Sequence, residues 1–383
     1  MAGMGRIGNG EGVNDRSSSA GKLCHFATPE AIPYRALGIA IFVIVCLLSA
    51  SNIAFGQISY PTRLQKVVAM VGARSGASWP LWLAKDGGYY QKHGLDVELV
   101  YAVHPAPMAA VISGQAVMTS TGADLGILAA FRDTSLTLNG SFLNKGSFAM
   151  VAAKNLTRME QLSGKKIGIG RVGDPPYYMS ISLLEKFGVN AKDVQWVSIG
   201  VDAAARAAAL QGGQVDAALV TAPSYFRLEA AGYPVLASVA DYEDIYVSTY
   251  YLFRKETVLN SPKIAEGFIK AHSEAIKRFY DDKAFAVQTI VKYGAARDQQ
   301  DGGKVYELFN RSRSFEPIPY VLKDSVKAVV ERQSQAQPQL KQFDFSKVID
   351  NSIVDRLAKE GFFQQIFGSS IRELQQKRKS QSF

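Results

Sequence analysis

Lys66-Val-Val-Ala-Met-Val71, Gly72-Ala-Arg-Ser-Gly-Ala-Ser78 and Trp79-Pro-Leu-Trp-Leu-Ala-Lys85 follow one another without a break, and their succession decides the fold. The first is a short valine-rich apolar run, read as a strand. The second, with its glycines and serines, is a loop. The third is apolar and reads as a helix over 80–85. The same succession recurs: strands are expected at 96–101, 116–119, 147–153, 166–170, 194–199, 217–221, 235–239 and 246–254, and helices at 107–113, 177–187 and 203–211. Strands alternating with helices specify the α/β class, a mostly parallel sheet flanked by crossover helices. Beyond Pro262 the pattern is mostly helical, with apolar residues three and four apart over 263–280.

Outward from that stretch, an internal duplication links residues 66–122 to 166–222. Arg74-Ser-Gly76 matches Arg171-Val-Gly173, Lys92-His-Gly94-Leu95 matches Lys186-Phe-Gly188-Val189, and Ser113-Gly-Gln115 matches Gly212-Gly-Gln214, at offsets of 97, 94 and 99 residues. All three fall at equivalent points of a strand, loop, helix, strand cycle. Two related lobes are expected, whose first loops face one another across a cleft.

The 383 residues, 47% hydrophobic and 20% charged, lie in the globular range and are long enough for two domains. Residues 36–50, ALGIAIFVIVCLLSA, carry no charge and follow Arg35. They are shorter than the roughly 20 residues of a spanning helix, and small residues follow at Ala54 and Gly56, so 1–56 reads as a leader with a signal peptide. The remainder is expected to be exported to the periplasm, with an uncleaved anchor as the alternative. Both cysteines, Cys24 and Cys46, fall in that leader, so no disulfide or thiol chemistry is expected in the exported part. The net charge is +9, of which the leader's four Lys or Arg against three Asp or Glu supply +1, leaving +8. That balance suits anionic partners, but the basic residues are dispersed, and no nucleic-acid partner is expected.

In open α/β sheets ligands bind beyond the carboxyl ends of the strands. The candidate binding residues are therefore Arg74, Ser78, Trp79, Ser120, Thr121 and Gly122 in the first lobe, and Arg171, Gly173, Asp174, Tyr177, Thr221 and Pro223 in the second. Arg74 and Arg171 stand at matching positions, from which they could grip an anion from both sides, each contact adding about 1.5–3 kcal/mol. Trp79 either floors the pocket or fills the core. Asp174, followed by two prolines, reads first as a helix N-cap and second as a contact for a ligand amine.

No catalytic residue, metal or cofactor is expected. His25, His93, His104 and His272 are scattered without metal-ligand spacing, and neither a GxSxG elbow nor a P-loop is present. Gly168-Ile-Gly170-Arg-Val-Gly173 matches GxGxxG after a strand, but the Asp-Pro-Pro that follows interrupts the helix start a dinucleotide needs.

Several short motifs occur in a telling order: Trp79-Pro-Leu-Trp-Leu-Ala84, Gly88-Tyr-Tyr-Gln-Lys-His-Gly-Leu-Asp-Val-Glu98, Ile112-Ser-Gly-Gln-Ala116, Leu162-Ser-Gly-Lys-Lys-Ile-Gly-Ile169, Leu184-Glu-Lys-Phe-Gly-Val189 and Ala209-Leu-Gln-Gly-Gly-Gln-Val-Asp-Ala-Ala218. Through them the chain resembles, over about Leu64 to Leu357, the periplasmic binding proteins for nitrate, taurine, aliphatic sulfonates and thiamine-precursor pyrimidines. The resemblance implies a two-lobed type 2 periplasmic-binding-protein fold joined by two hinge strands near Ala153 and Tyr250. Lobe 1 would then comprise 57–152 and, after the return, 251–383 with the C-terminal helices; lobe 2 would be 153–250. It further implies a monomeric solute receptor of an ABC-type importer, whose partners are a small solute, expected to be anionic, and a permease through which alone the exported part meets the membrane. Val117 stands where the family often has Asp, while Asp216 is kept in the second lobe. The cysteine-rich pattern and histidines of the related pyrimidine-synthesising enzymes are absent. A secreted enzyme on the same scaffold, or a sensory module, is the competing reading.

Overall fold

The computed structural model describes residues 63–383 except 104, 201, 243, 244, 246, 247, 295 and 335. The leader, His25, the two cysteines and His104 lie outside the described residues. In the first half, β1 (Gln65–Val71) passes through a 3-10 turn (Gly76–Ser78) into α1 (Trp79–Asp86), and α2 (Tyr89–Lys92) precedes β2 (Leu95–Tyr101). Next come α3 (Ala106–Ile112), β3 (Met118–Gly122), α4 (Ala123–Arg132) and β4 (Leu136–Leu138). The second half repeats the scheme after an extra strand: β5 (Phe148–Ala152), β6 (Lys166–Ile169), α5 (Pro175–Lys186), β7 (Gln195–Ser198), α6 (Ala203–Gln211), β8 (Ala217–Thr221), α7 (Ser224–Ala230) and β9 (Val235–Ser238). The chain then enters β10 (Thr249–Arg254) and the helices α8 (Lys255–Asn260), α9 (Pro262–Asp281), α10 (Lys283–Lys292), α11 (Gln299–Ser312), α12 (Lys323–Gln333), α13 (Ser352–Lys359), α14 (Phe362–Phe367) and α15 (Ile371–Gln381).

Two five-stranded sheets result, ordered β2-β1-β3-β10-β4 and β7-β6-β8-β5-β9. The duplication read in the sequence is thus real at the level of topology, since β2-β1-β3 and β7-β6-β8 correspond strand for strand. Within each trio the pairing is parallel. The exceptions are the strands that arrive from the other half, β10 against β3 and β4, and β5 against β8 and β9, all antiparallel. Asp216 has a structural part: its Oδ2 accepts from the Lys166 backbone N–H at 2.8 Å, fixing the start of β6.

One boundary needs correction. Phe148–Ala152 belongs to the second sheet, so the first crossing spans 139–147 and ends before Ala153, not at it. The physical reason is that Ala149 to Ala152 are fully buried and need ladder partners on both edges, which β8 and β9 supply. The second crossing ends at Thr249, beside the expected Tyr250. The two crossings run together: Thr249 N–H donates to the Leu143 carbonyl at 3.0 Å, and Ser248 Oγ to Asn144 Oδ1 at 2.6 Å. Sequence patterning missed β4, because three residues carry too little alternation to register.

After β10 the chain packs back on the first sheet. Helix α9 buries Ala265, Phe268, His272, Ile276 and Phe279. His272 is wholly enclosed, with Nε2 2.6 Å from the Tyr90 hydroxyl and Nδ1 in contact with the Tyr251 hydroxyl. With Tyr90 donating to the Leu81 carbonyl at 3.2 Å, the tautomer that satisfies every group has His272 Nε2–H donating to the Tyr90 hydroxyl. Nδ1 is then the acceptor of the Tyr251 proton, and the ring is neutral, its pKa depressed by burial to about 3. Among the described residues no helix is long and apolar enough to cross a membrane.

Candidate functional site

The carboxyl-end turns of the two sheets meet at Gly122 and Pro175. A Cβ at Gly122 would stand 3.4 Å from Pro175 Cγ, an ordinary van der Waals separation, so the turn after β3 faces the first residue of α5 at close range. The hinge lies directly beneath. Ala123 N–H donates to the Ser248 carbonyl at 2.9 Å, and Ser248 holds Asn144. Asn144 Oδ1 also accepts from Ser141 Oγ at 3.1 Å, while its Nδ2 is buried without a protein partner. Thr121 Oγ1 is likewise buried and unpaired. Buried polar groups in this condition cost about 1–3 kcal/mol each, and two of them beside the facing carboxyl-end turns make this junction the candidate for solute contact.

The predicted residues divide between this junction and its support. Asp174 caps α5: Oδ1 accepts from Tyr177 N–H at 2.9 Å and Oδ2 from Arg171 N–H at 3.0 Å. Burial pushes its carboxyl above the usual range, against the pull of those two amides and of the Arg206 and Arg171 guanidiniums. Since α5 opens with two prolines and its next N–H is taken by Asp174, this helix start has few amides to offer an anion. Gly173 adopts a φ of +87°, which lets the loop turn back to the cap. Tyr177 is half-buried, its ring 4.9 Å from Trp196 and 5.2 Å from Tyr178. Thr221 ends β8, and Pro223, joined to Ala222 by a cis bond, precedes α7.

In the first lobe, Ser120 Oγ donates to the Ala77 carbonyl at 2.9 Å, tying the end of β3 to the turn before α1; Ser78 in that turn is buried. Trp79 is resolved as core. It is 2% exposed, 4.4 Å from the Phe309 ring, and flanked by Phe279 and Phe315. Arg74 is exposed, but its guanidinium carbon lies 4.7 Å above the Tyr101 ring. Arg171 is also exposed. Stacking on Tyr101 gives the Arg74 guanidinium a neighbour that sequence spacing does not reveal.

Several residues at the junction were not singled out from the sequence. Asp124, in the first turn of α4, accepts from Arg332 Nε and Nη2 at 2.7 and 2.8 Å and from Gln333 Nε2 at 3.1 Å. Arg206 is buried to 1% exposure, with Nε on the Leu219 carbonyl at 2.8 Å and Nη1 on the Gly200 carbonyl at 2.9 Å. The local signals were slight: an acid after Gly122, and one arginine in the alanine run of α6. Among the described residues no three His, Cys, Asp or Glu come together as a metal site.

The family model described as NMT1/THI5 like matches residues 77–284. The 4-amino-5-hydroxymethyl-2-methylpyrimidine phosphate synthase of Schizosaccharomyces pombe (strain 972 / ATCC 24843) is 28% identical over 140 residues. That stretch is 36% of this chain, which spans only 39% of the length of that curated relative. Among solved structures, the periplasmic sulfonate-binding protein of a sulfonate ABC transporter from Methylobacillus flagellatus KT superposes with a TM-score of 0.65 at 21% identity, covering 79% of this chain and 96% of that one. The desulfurization enzyme DSZB superposes with a TM-score of 0.59 at 14% identity, covering 77% and 99%. At these identities the likeness establishes the fold, a mixed α/β periplasmic-binding-protein architecture.

Proposed function

The chain belongs to the NMT1/THI5-like family, and on that premise we propose that it is a solute-binding receptor that works outside the cytoplasmic membrane and delivers a small organic solute to an ABC-type permease. The observation that carries this reading is the meeting of the two carboxyl-end turns, Gly122 against Pro175, above paired hinge crossings. Two lobes of matching topology, linked by two adjacent strands and touching at their ligand ends, can separate and shut as rigid bodies around one solute. Solute contact is assigned to Thr121, Gly122, Arg171, Gly173, Tyr177, Thr221 and Pro223, with Asn144 below. Ser78, Ser120 and Asp174 hold those turns in shape. Trp79 belongs to the core that supports them.

The test is a thermal-shift screen of the exported domain against sulfonates, carboxylates, nitrate and uncharged heteroaromatic compounds. A specific solute at 100 times its dissociation constant adds about 2.7 kcal/mol of stability. For an anionic hit, Arg171→Ala weakens binding, whereas Arg74→Ala, whose guanidinium rests on Tyr101, leaves it unchanged. No stabilisation by any class counts against the receptor.

An enzyme on this scaffold is the second reading, favoured by the synthase among the relatives and by DSZB among the structures. The described histidines give it little support. His272 is held between two tyrosines, and His93 Nε2 is 3.1 Å from Glu274 on α9. Neither belongs to the junction of turns and hinge. The enzyme reading requires chemical conversion of a bound compound.

A further inference from the structure

Two polar side-chain contacts join the lobes. They come from opposite faces of the second sheet: Leu228 of α7 packs with Ala218 and Val220, while Leu183 and Leu184 of α5 pack with Ala217 and Leu219. On the first face, Arg227 of α7 donates through Nε and Nη2 to Asp301 Oδ2 of α11, at 3.0 and 2.8 Å. On the second, Tyr178 of α5 donates to Gln333 Oε1 of α12 at 3.0 Å, and the Arg332 guanidinium lies 5.9 Å from its ring. In each pair one member stands on a helix of the second sheet and the other on a helix packed against the first.

We propose that Arg227–Asp301 and Tyr178–Gln333 are closure contacts, positioning residues that bias the two lobes toward the shut state without touching solute. The inference rests on the reading of the chain as a clamp. Two features make the contacts suited to repeated opening. Asp301 also accepts at 3.2 Å from Nε of Arg297, just ahead of the start of α11, so its carboxylate keeps a cation when Arg227 leaves. Gln333 and Arg332 both remain bound to Asp124 when Tyr178 leaves. Opening therefore strips no buried charge of its last partner, the outcome that makes breaking an ordinary buried pair so costly. The contacts are also distributed to act on closure as a whole. Their second-lobe members stand on helices covering opposite faces of the second sheet, so a lobe rotation that relaxed one contact alone would leave the other resisting.

Because the contacts need no solute, they shift the open–shut equilibrium by themselves, and any solute that requires the shut state gains by the same factor. Pulsed electron spin resonance measures this directly. Labels are attached through Lys192→Cys, on the exposed surface of the second lobe, and Lys304→Cys on α11, with Cys24→Ser and Cys46→Ser. Without added solute, the otherwise unaltered chain should show a short-distance population. Tyr178→Phe with Arg227→Gln, which keeps the Tyr178 ring in place, should lower the shut-to-open ratio about threefold to tenfold, a range consistent with one neutral and one charged contact. The circular dichroism spectrum should be unchanged. A ratio unaltered by the double variant, or a parent chain with no short-distance population, overturns the proposal. A chain that shuts and opens as described but binds nothing in the solute screen would sink the receptor reading and leave these contacts standing.

Discussion

Acidification should weaken this protein through one buried imidazole. His272 folds neutral, with its pKa depressed by burial to about 3, whereas in the unfolded chain it titrates near 6.5. Below pH 6.5 the unfolded state therefore binds a proton that the native state refuses, and the stability gained by keeping the ring neutral is lost as pH falls. That contribution is complete above pH 6.5 and declines by about 1.4 kcal/mol per pH unit down to the folded pKa, so moving from pH 7 to pH 5 removes about 2 kcal/mol. Other groups titrate over the same interval, so the informative quantity is a difference. His272→Gln retains a donor for Tyr90 and an acceptor for Tyr251 but cannot take up a proton. Urea unfolding of both chains between pH 7.5 and pH 4.5 should show the parent losing about 2 kcal/mol more than the variant by pH 5. Parallel pH profiles would refute the reasoning, because they would mean that His272 is protonated alike in both states or is reached by solvent.

Further outcomes follow from the geometry of the turns. Gly170→Ala would place a Cβ 2.0 Å from Asp174 Oδ2, displacing the cap from Tyr177 and Arg171 and costing about 1–3 kcal/mol in chemical denaturation. Trp79→Ala should cost about 3–5 kcal/mol, since the indole fills a core among Phe279, Phe309 and Phe315, with the solute dissociation constant unchanged wherever the chain remains folded. Gly122→Trp wedges a ring against Pro175, and should abolish solute binding in calorimetry while the melting temperature in the absence of solute changes little.

Much of the architecture was legible in residues 66–85 and their counterparts after Lys166, because strand, loop and helix follow one another locally. The duplication carried the information further, anticipating the equivalence of β2-β1-β3 and β7-β6-β8. What local pattern cannot report is which sheet a buried strand joins. Phe148–Ala152 reads as a strand in either lobe, and only its antiparallel ladder with β8 assigns it. The site shows the same limit. Asp174 was legible as a cap because its partners are three residues away, whereas Arg332 is 208 residues from Asp124. Arg74 was read as a ligand contact from its loop and its match to Arg171, and nothing local signalled its neighbour Tyr101, which the parallel pairing of β1 and β2 supplies.

The clamp reading is tested most directly by native mass spectrometry of the exported domain with its best-stabilising compound, followed by release and identification of what was bound. One intact molecule per chain, recovered chemically unchanged, is the result the account predicts. A converted product, a covalent adduct, or binding that survives Gly122→Trp undiminished would contradict it.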